Sequence, residues 1–335
     1  MSRRRPSPHG AGKATSASTA SGLRSRLGWW WQAPLGLLIL SILIVLAITI
    51  AFGATRPNTG NPPAPAGSAS PQTGTLPTPI GSPAPLSPAP ELAELDAEIA
   101  RIEQKYGVLV GITLSQAAPR ARTTQQPWHG GSLRGGPAFG TIDVALGLAV
   151  LADSSQPSDR DYLFNRALAD NSGAADDALW AFLGTPDEAA KKTQQALRSY
   201  GDWSTSVPAI SATNRETPYL DTEWTLESQA RLAGAMLCDY VDVHPVLSKL
   251  NDPADDPWGL QTIPMTYAKG DWGTMVNGDT LVRQFGIIRL TDSTQAGIAM
   301  AVSGQFTDPS VGQGAITELA NVTRRLATGI ASPTC

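Results

Sequence analysis

Hydrolysis by a serine whose proton is moved by a lysine needs the two side chains one helical turn apart, so that hydroxyl and amine face each other. No lysine in this chain has a serine three residues before it. Thr266 stands at that distance from Lys269, but the segment reads as a strand, where residues so spaced point to opposite faces. There is no Gly-x-Ser-x-Gly elbow either. At the one-turn spacing the chain offers Gly140 and Asp143, in Ala138-Phe139-Gly140-Thr141-Ile142-Asp143-Val144-Ala145-Leu146. A glycine supplies no nucleophile, and a carboxylate does not replace the amine. Thr141 points about 100° around a helix from Gly140. Ser172 has no evident partner, and Glu216 is wrongly spaced for a deacylating base. His9, His129 and His244 are scattered, and none has a zinc spacing with cysteine, so neither metal nor cofactor is expected.

Two further boxes follow, Ala169-Asp170-Asn171 and Lys269-Gly270-Asp271-Trp272-Gly273. In this order the three segments resemble the Ser-x-x-Lys, Ser-Asp-Asn and Lys-Thr/Ser-Gly boxes of the penicillin-recognising β-lactamase/transpeptidase-like serine hydrolases. The resemblance spans most of residues 91–335, and its nearest look-alikes are membrane-tethered or secreted proteins of actinobacteria. It implies degenerate catalytic positions at Gly140, Asp143 and Ala169, with no catalytic residue left. It also implies a ligand groove formed by Asp170, Asn171, Lys269, Gly270, Asp271 and Trp272. Asp170 and Asn171 have a second reading as caps of the following helix. An ion pair or a water-bridged pair between Asp143 and Lys269 is expected, because a carboxylate buried without a partner costs several kcal/mol. Trp258 and Trp272 lie next to glycines near the expected groove, either as core or as a stacking surface for a sugar or peptide. The function implied is an inactive domain that binds a cell-wall (peptidoglycan) peptide or a cell-envelope protein. The alternative is an active serine hydrolase or D,D-carboxypeptidase with a shifted nucleophile.

Charge divides the chain. Its first 90 residues hold seven Lys and Arg and no acid, which leaves 18 bases against 29 acids from Glu91 onward. An acidic body repels phosphate, so a nucleic-acid partner is not expected. Residues 33–54 carry no charge and are mostly Leu, Ile, Val and Ala, long enough to cross a bilayer as one helix. Trp29, Trp30 and Trp31 stand at the entrance and the arginines lie on the same side, which predicts a cytoplasmic tail over residues 1–32 and an outward-facing remainder. The run exceeds the core of about 7 to 15 residues of a cleaved signal peptide, favouring a retained single-pass anchor in the cell membrane, although Ala51 and Gly53 are small enough for processing. Residues 55–90 are rich in Pro, Ala, Gly, Ser and Thr and read as a semi-extended stalk. Cys238 and Cys335 are the only cysteines; outside the cell they are free to pair as a disulfide, the other reading being a buried Cys238 and a dangling Cys335.

The body must position whatever the boxes do. Leu92, Leu95, Ile99, Ile102 and Tyr106 recur with helical spacing, and Gly107 ends that helix. A strand is expected from Val108 to Leu114, with a weak partner from Thr123 to His129. Helices are expected over Thr141 to Ala152, Arg160 to Ala169, Ala174 to Leu183, Pro186 to Tyr200 and Leu226 to Cys238. Strands return over Thr266 to Lys269, Leu281 to Leu290 and Gly297 to Val302, and a helix from Gly314 to Ile330 closes the chain. This order predicts an α/β fold of the α+β type, preceded by one transmembrane helix. Its mostly antiparallel sheet is covered by the two terminal helices and flanked by an all-helical lobe, forming one domain over residues 91–335.

Overall fold

Two long strands are apolar on both faces, which demands cover on both sides. β6 (Thr280–Arg289) and β7 (Gln295–Gly304) are buried along almost their whole length. With β1 (Leu109–Gln116), β2 (Trp128–Gly131) and β5 (Tyr267–Thr274) they form an antiparallel sheet in the order β2-β1-β7-β6-β5. The computed structural model describes residues 90–119, 126–213, 215–251, 256–291, 294–329 and Cys335. The expected membrane helix, the stalk and Thr123 to Gln125 lie outside them. Among the described residues no helix is long and apolar enough to cross a membrane.

Strand alternation sorts the side chains into two cores. Val282, Ile288, Ile298, Met300 and Val302 meet α1 (Pro90–Tyr106) and α8 (Pro309–Leu326) on one face. Leu95, Ile99 and Ile102 of α1 and Ile316 and Leu319 of α8 supply the helical side, at the spacing that puts them on one stripe. Leu281, Phe285, Ile287, Ala299 and Ala301 face the other way, into the helical lobe. There α6 (Leu226–Cys238) lies directly on β7. Gly297 permits the approach, since a Cβ at that position would stand 2.0 Å from the Ala230 carbonyl oxygen.

The lobe is built around α2 (Asp143–Ala152), whose sequence DVALGLAVLA is apolar all round after its first residue and is accordingly buried from Asp143 to Val150. Around it stand α3 (Arg160–Phe164), α4 (Gly173–Phe182), α5 (Pro186–Ser199) and α7 (Tyr240–Leu250). β3 (Gly135–Pro137) and β4 (Glu223–Thr225) pair as a separate small ribbon.

Several elements differ from the pattern expected of the sequence, among them the unexpected β3–β4 ribbon and β2, which starts at Trp128. The helix expected from Arg160 to Ala169 is α3 followed by a π-helical turn over Asn165–Ala169, closed by the Ser172 amide on the Arg166 carbonyl. α7 was not expected, because Pro245 inside it removes a helical donor; burial of Val243, Val246, Leu247 and Leu250 holds it together. α8 begins five residues before Gly314, at the start signal given by Asp308, which caps Ser310, and Pro309. β5 runs on past the expected end at Lys269 to Thr274, so the whole Lys269-to-Gly273 box lies on the edge strand.

Cys238, at the end of α6, is bonded to Cys335, 97 residues on. The bond fastens the end of the chain to the helical lobe. Closing a loop of that length restricts the unfolded chain, and Cys335→Ala is expected to lower the free energy of unfolding by about 2–4 kcal/mol, measured by urea denaturation of wild type and variant.

Candidate functional site

The turn into α2 holds the first box. Phe139 opens a 3-10 turn over Phe139–Ile142 with a left-handed φ of 47°, a conformation a bulky side chain holds only when its surroundings enforce it. Those surroundings are visible. Its ring fills the space beside Gly273 on β5, where a Cβ would come within 2.5 Å of it, and the Arg215 guanidinium lies 5.4 Å from the ring centre. Beneath the turn, Arg283 of β6 is fully buried and donates to the carbonyls of Gly136 and Pro137 at 2.7 Å, to Trp224 O at 2.9 Å and to Gln229 Oε1 at 2.6 Å. Gln229 in turn donates to Thr141 Oγ1 at 3.0 Å, and that hydroxyl donates to Ala138 O at 2.5 Å. Burial pulls the Arg283 guanidinium down to about 9. Thr141 is thus committed to structure and faces no base.

Lys269 and Asp271 project from β5 toward this turn. Asp271 Oδ2 accepts the Gly140 amide at 2.6 Å. The same oxygen would stand 2.8 Å from a Cβ added to Gly140, and Asp143 Oδ2 would stand 3.2 Å from it. The space a nucleophilic side chain would need at position 140 is therefore taken by a carboxylate.

Lys269, 1% exposed, places its Nζ 3.0 Å from Asp143 Oδ2, the ion pair expected from the sequence. Its aligned hydrogen bonds go to Ala167 O and Asn171 Oδ1, both at 2.5 Å. Neither Asp143 oxygen receives a well-directed hydrogen bond, so the pair is a charge contact. The π turn explains the Ala167 contact: a widened helical end leaves a carbonyl for an outside donor. Asn171, at φ 52°, turns its amide oxygen onto the ammonium.

Several expected groove residues stand elsewhere. Asp170 is exposed and paired with Arg166 at 2.6 Å, one turn back on its own helix. Neither Asp170 nor Asn171 caps α4, whose N-cap is Ser172 and makes no side-chain cap bond. Gly270 faces the opposite side of β5 from Lys269, against the Trp258 indole, where a Cβ would come within 2.6 Å. Trp258 packs in the core beneath the terminal helices. Trp272 shares the Gly270 side by strand alternation and is 44% exposed, away from Gly140. Ala169 is buried and carries no polar atom.

The sequence reading missed two carboxylates. Asp176 of α4 is 6% exposed with Oδ1 unpartnered, and Asp177 accepts the Tyr219 hydroxyl at 2.7 Å. A signal was present: Asp176 falls with Ala175, Leu179 and Trp180 on the buried stripe, a carboxylate where the period calls for an apolar side chain. Burial, aided by its acidic neighbours, pushes Asp143 up to about 7 against the pull of Lys269. Burial and the charge of Asp143 push Asp176 up to about 8. Burial, then the bond to Asp177, raises the Tyr219 hydroxyl far above the usual tyrosine range. Four carboxylates, those of Asp143, Asp176, Asp177 and Asp271, thus act on one another around the Lys269 ammonium. The arrangement holds protons and repels anions, and it contains no aligned nucleophile and base. Among the described residues no group of His, Cys, Asp and Glu is arranged to hold a metal ion.

No protein-family model matches the chain, and no curated protein matches it. Among solved structures it is similar to an ancestral class A β-lactamase at 18% identity and TM-score 0.51, covering 68% of this chain and 98% of that one. A β-lactamase from Xanthomonas campestris aligns at 17% identity and TM-score 0.53 over 70% of this chain and 97% of that one. A class A representative from Bacteroides cellulosilyticus aligns at 13% identity and TM-score 0.54 over 70% and 98%. Nearly the whole of each relative is covered, so residues 90 onward carry the class A β-lactamase fold, an antiparallel sheet with a helical lobe, as the three boxes lead one to expect.

Two outcomes test this geometry. Because Asp143 and Asp176 take up protons on folding, each favours the folded state most below about pH 4, and that contribution is lost as pH rises through about 7 to 8. Asp176→Asn is expected to flatten the fall in stability between pH 5 and pH 8 seen in wild type, as read by urea denaturation across that range. Gly140→Ala is expected to cost about 1–3 kcal/mol in the wild-type background and much less beside Asp271→Ala. An equal cost in both backgrounds of that double-mutant cycle would mean that Asp271 does not occupy the space over Gly140.

Proposed function

We infer that this chain is a membrane-tethered, outward-facing member of the β-lactamase-like architecture that has given up acyl-enzyme chemistry and serves as a binding module at the cell wall. The observation that carries the reading is the Asp271 carboxylate seated on the Gly140 amide. Acyl transfer needs three things at that point: a hydroxyl, a base to take its proton, and a free backbone N–H to stabilise the oxyanion. Position 140 has no side chain, position 143 holds a carboxylate with a raised pKa, and the N–H is already bonded to an anion. A substrate carbonyl entering here would have to displace Asp271 from both charge and space.

Tethering is supported by the uncharged run over residues 33–54, the basic tail before it and the Pro-rich stalk after it. These features hold the domain outside the membrane, within reach of wall material or of another envelope protein. The acidic cluster disfavours a guest that presents a carboxylate to Lys269, so the guest is held outside the old acylation position.

Incubating the full-length chain with a fluorescent penicillin and resolving it under denaturing conditions tests the loss of chemistry. No covalent label is expected. A label that survives denaturation and maps to a Ser or Thr would replace this reading with that of a serine hydrolase using a relocated nucleophile. Co-sedimentation of the same chain with purified cell-wall sacculi tests the binding role, with retention in the pellet expected.

A further inference from the structure

Trp203 lies remote in sequence from the three boxes, on the loop that follows α5. Its side chain is 71% exposed, while the chain on either side of it is tied down by hydrogen bonds. Asp202, 4% exposed, accepts the Trp224 indole N–H at 3.0 Å through Oδ2. Through Oδ1 it accepts the amides of Ser204 at 3.2 Å and Thr205 at 3.1 Å and the Ser228 hydroxyl at 3.1 Å. Arg198 clasps the same loop by donating to the carbonyls of Asp202 and Thr205. A loop tied on both sides of an exposed indole fixes where the side chain leaves the backbone, so no loop ordering stands against a ligand that stacks on the ring.

Two clefts flank the ring, and Gly201 and Arg231 border both. The smaller, about 250 Å³, reaches toward Tyr200 and Pro119; the larger, about 400 Å³, reaches toward Ser228 and Glu227. Glu227 and Arg231 are paired at 2.9 Å, so the rim offers donors and acceptors without a surplus charge to select an ion. The lining of the larger cleft comes from the loop after α5, from Thr225 at the end of β4 and from the first turns of α6. Apolar walls long enough for an acyl chain are lacking in both lining sets.

We propose that Trp203 is the stacking platform of a glycan-binding site, taking consecutive sugar rings of a linear N-acetylhexosamine chain in the two clefts. A pyranose presents an apolar C–H face to an aromatic ring and a rim of hydroxyl and amide groups to polar neighbours. The indole supplies the first surface, and Ser204, Glu227 and Arg231 supply the second. The site rests on the binding-module reading only in taking wall material to be what the domain meets, and it names where the contact is made.

Titration of the full-length chain with the tetramer of N-acetylglucosamine, followed by tryptophan emission and by calorimetry, tests it. Saturable binding is expected in wild type. Trp203→Ala should weaken it by at least about tenfold, Trp203→Phe by less, and Tyr162→Ala, at an exposed aromatic on α3, should leave it unchanged. Equal binding by wild type and Trp203→Ala, or no binding of the tetramer by wild type, would overturn the site. Sacculi sedimentation separates this failure from that of the module reading. If wild type and Trp203→Ala both pellet with sacculi while the tetramer goes unbound, the module stands and this site falls. If neither pellets, both fall.

Discussion

The chemistry of this fold turns on one backbone N–H. At the entry to the buried helix α2, the amide of Gly140 is bonded to the Asp271 carboxylate. Charge-assisted bonds of this kind are short and roughly twice as strong as neutral ones. Their hold depends on an absence, since any side chain at position 140 would collide with the same oxygen. The glycine and the aspartate are therefore complementary, one making the space that the other fills.

A second constraint follows from that arrangement. Lys269 reaches from the edge strand into the lobe and is buried, and an ammonium taken out of water must find partners where it lies. It finds them on three separate pieces of chain: Asp143 at the start of α2, Ala167 in the π turn and Asn171 in the loop behind it. The lysine thus joins the sheet to the helical lobe, a structural task. Burial, with the mutual repulsion of Asp143, Asp176, Asp177 and Asp271, raises Asp143 and Asp176 above the usual carboxylate range, while Lys269 pulls both back down.

Much of this was legible in the sequence because periodicity survives where packing is regular. Leu95, Ile99 and Ile102 announce α1, and the apolar run from Val144 to Val150 announces a helix buried on all sides. The expected approach of Asp143 to Lys269 needed only the cost of burying an unpaired charge. Other features were hidden for physical reasons. Pro245 masks α7, since a residue that breaks isolated helices is tolerated when four apolar neighbours are buried around it. The π turn adds no residue type that distinguishes it from an α-helix, so the route by which Ala167 meets Lys269 has no local signature. Trp272 was assigned to the groove from its neighbours in the chain. One residue of strand alternation sends it to the other face, while Asp271 beside it goes in. Asp176 was readable in principle, as a carboxylate on an apolar stripe.

The account stands or falls on whether the Gly140 amide is engaged by Asp271 in solution. Backbone amide resonances of isotope-labelled protein report it, through the chemical shift and the exchange rate with solvent. In wild type the Gly140 amide is expected to be shifted downfield and slow to exchange; in Asp271→Ala it should lose both its shift and its protection. A Gly140 amide that exchanges freely in wild type, or that is unchanged by Asp271→Ala, would contradict the central claim.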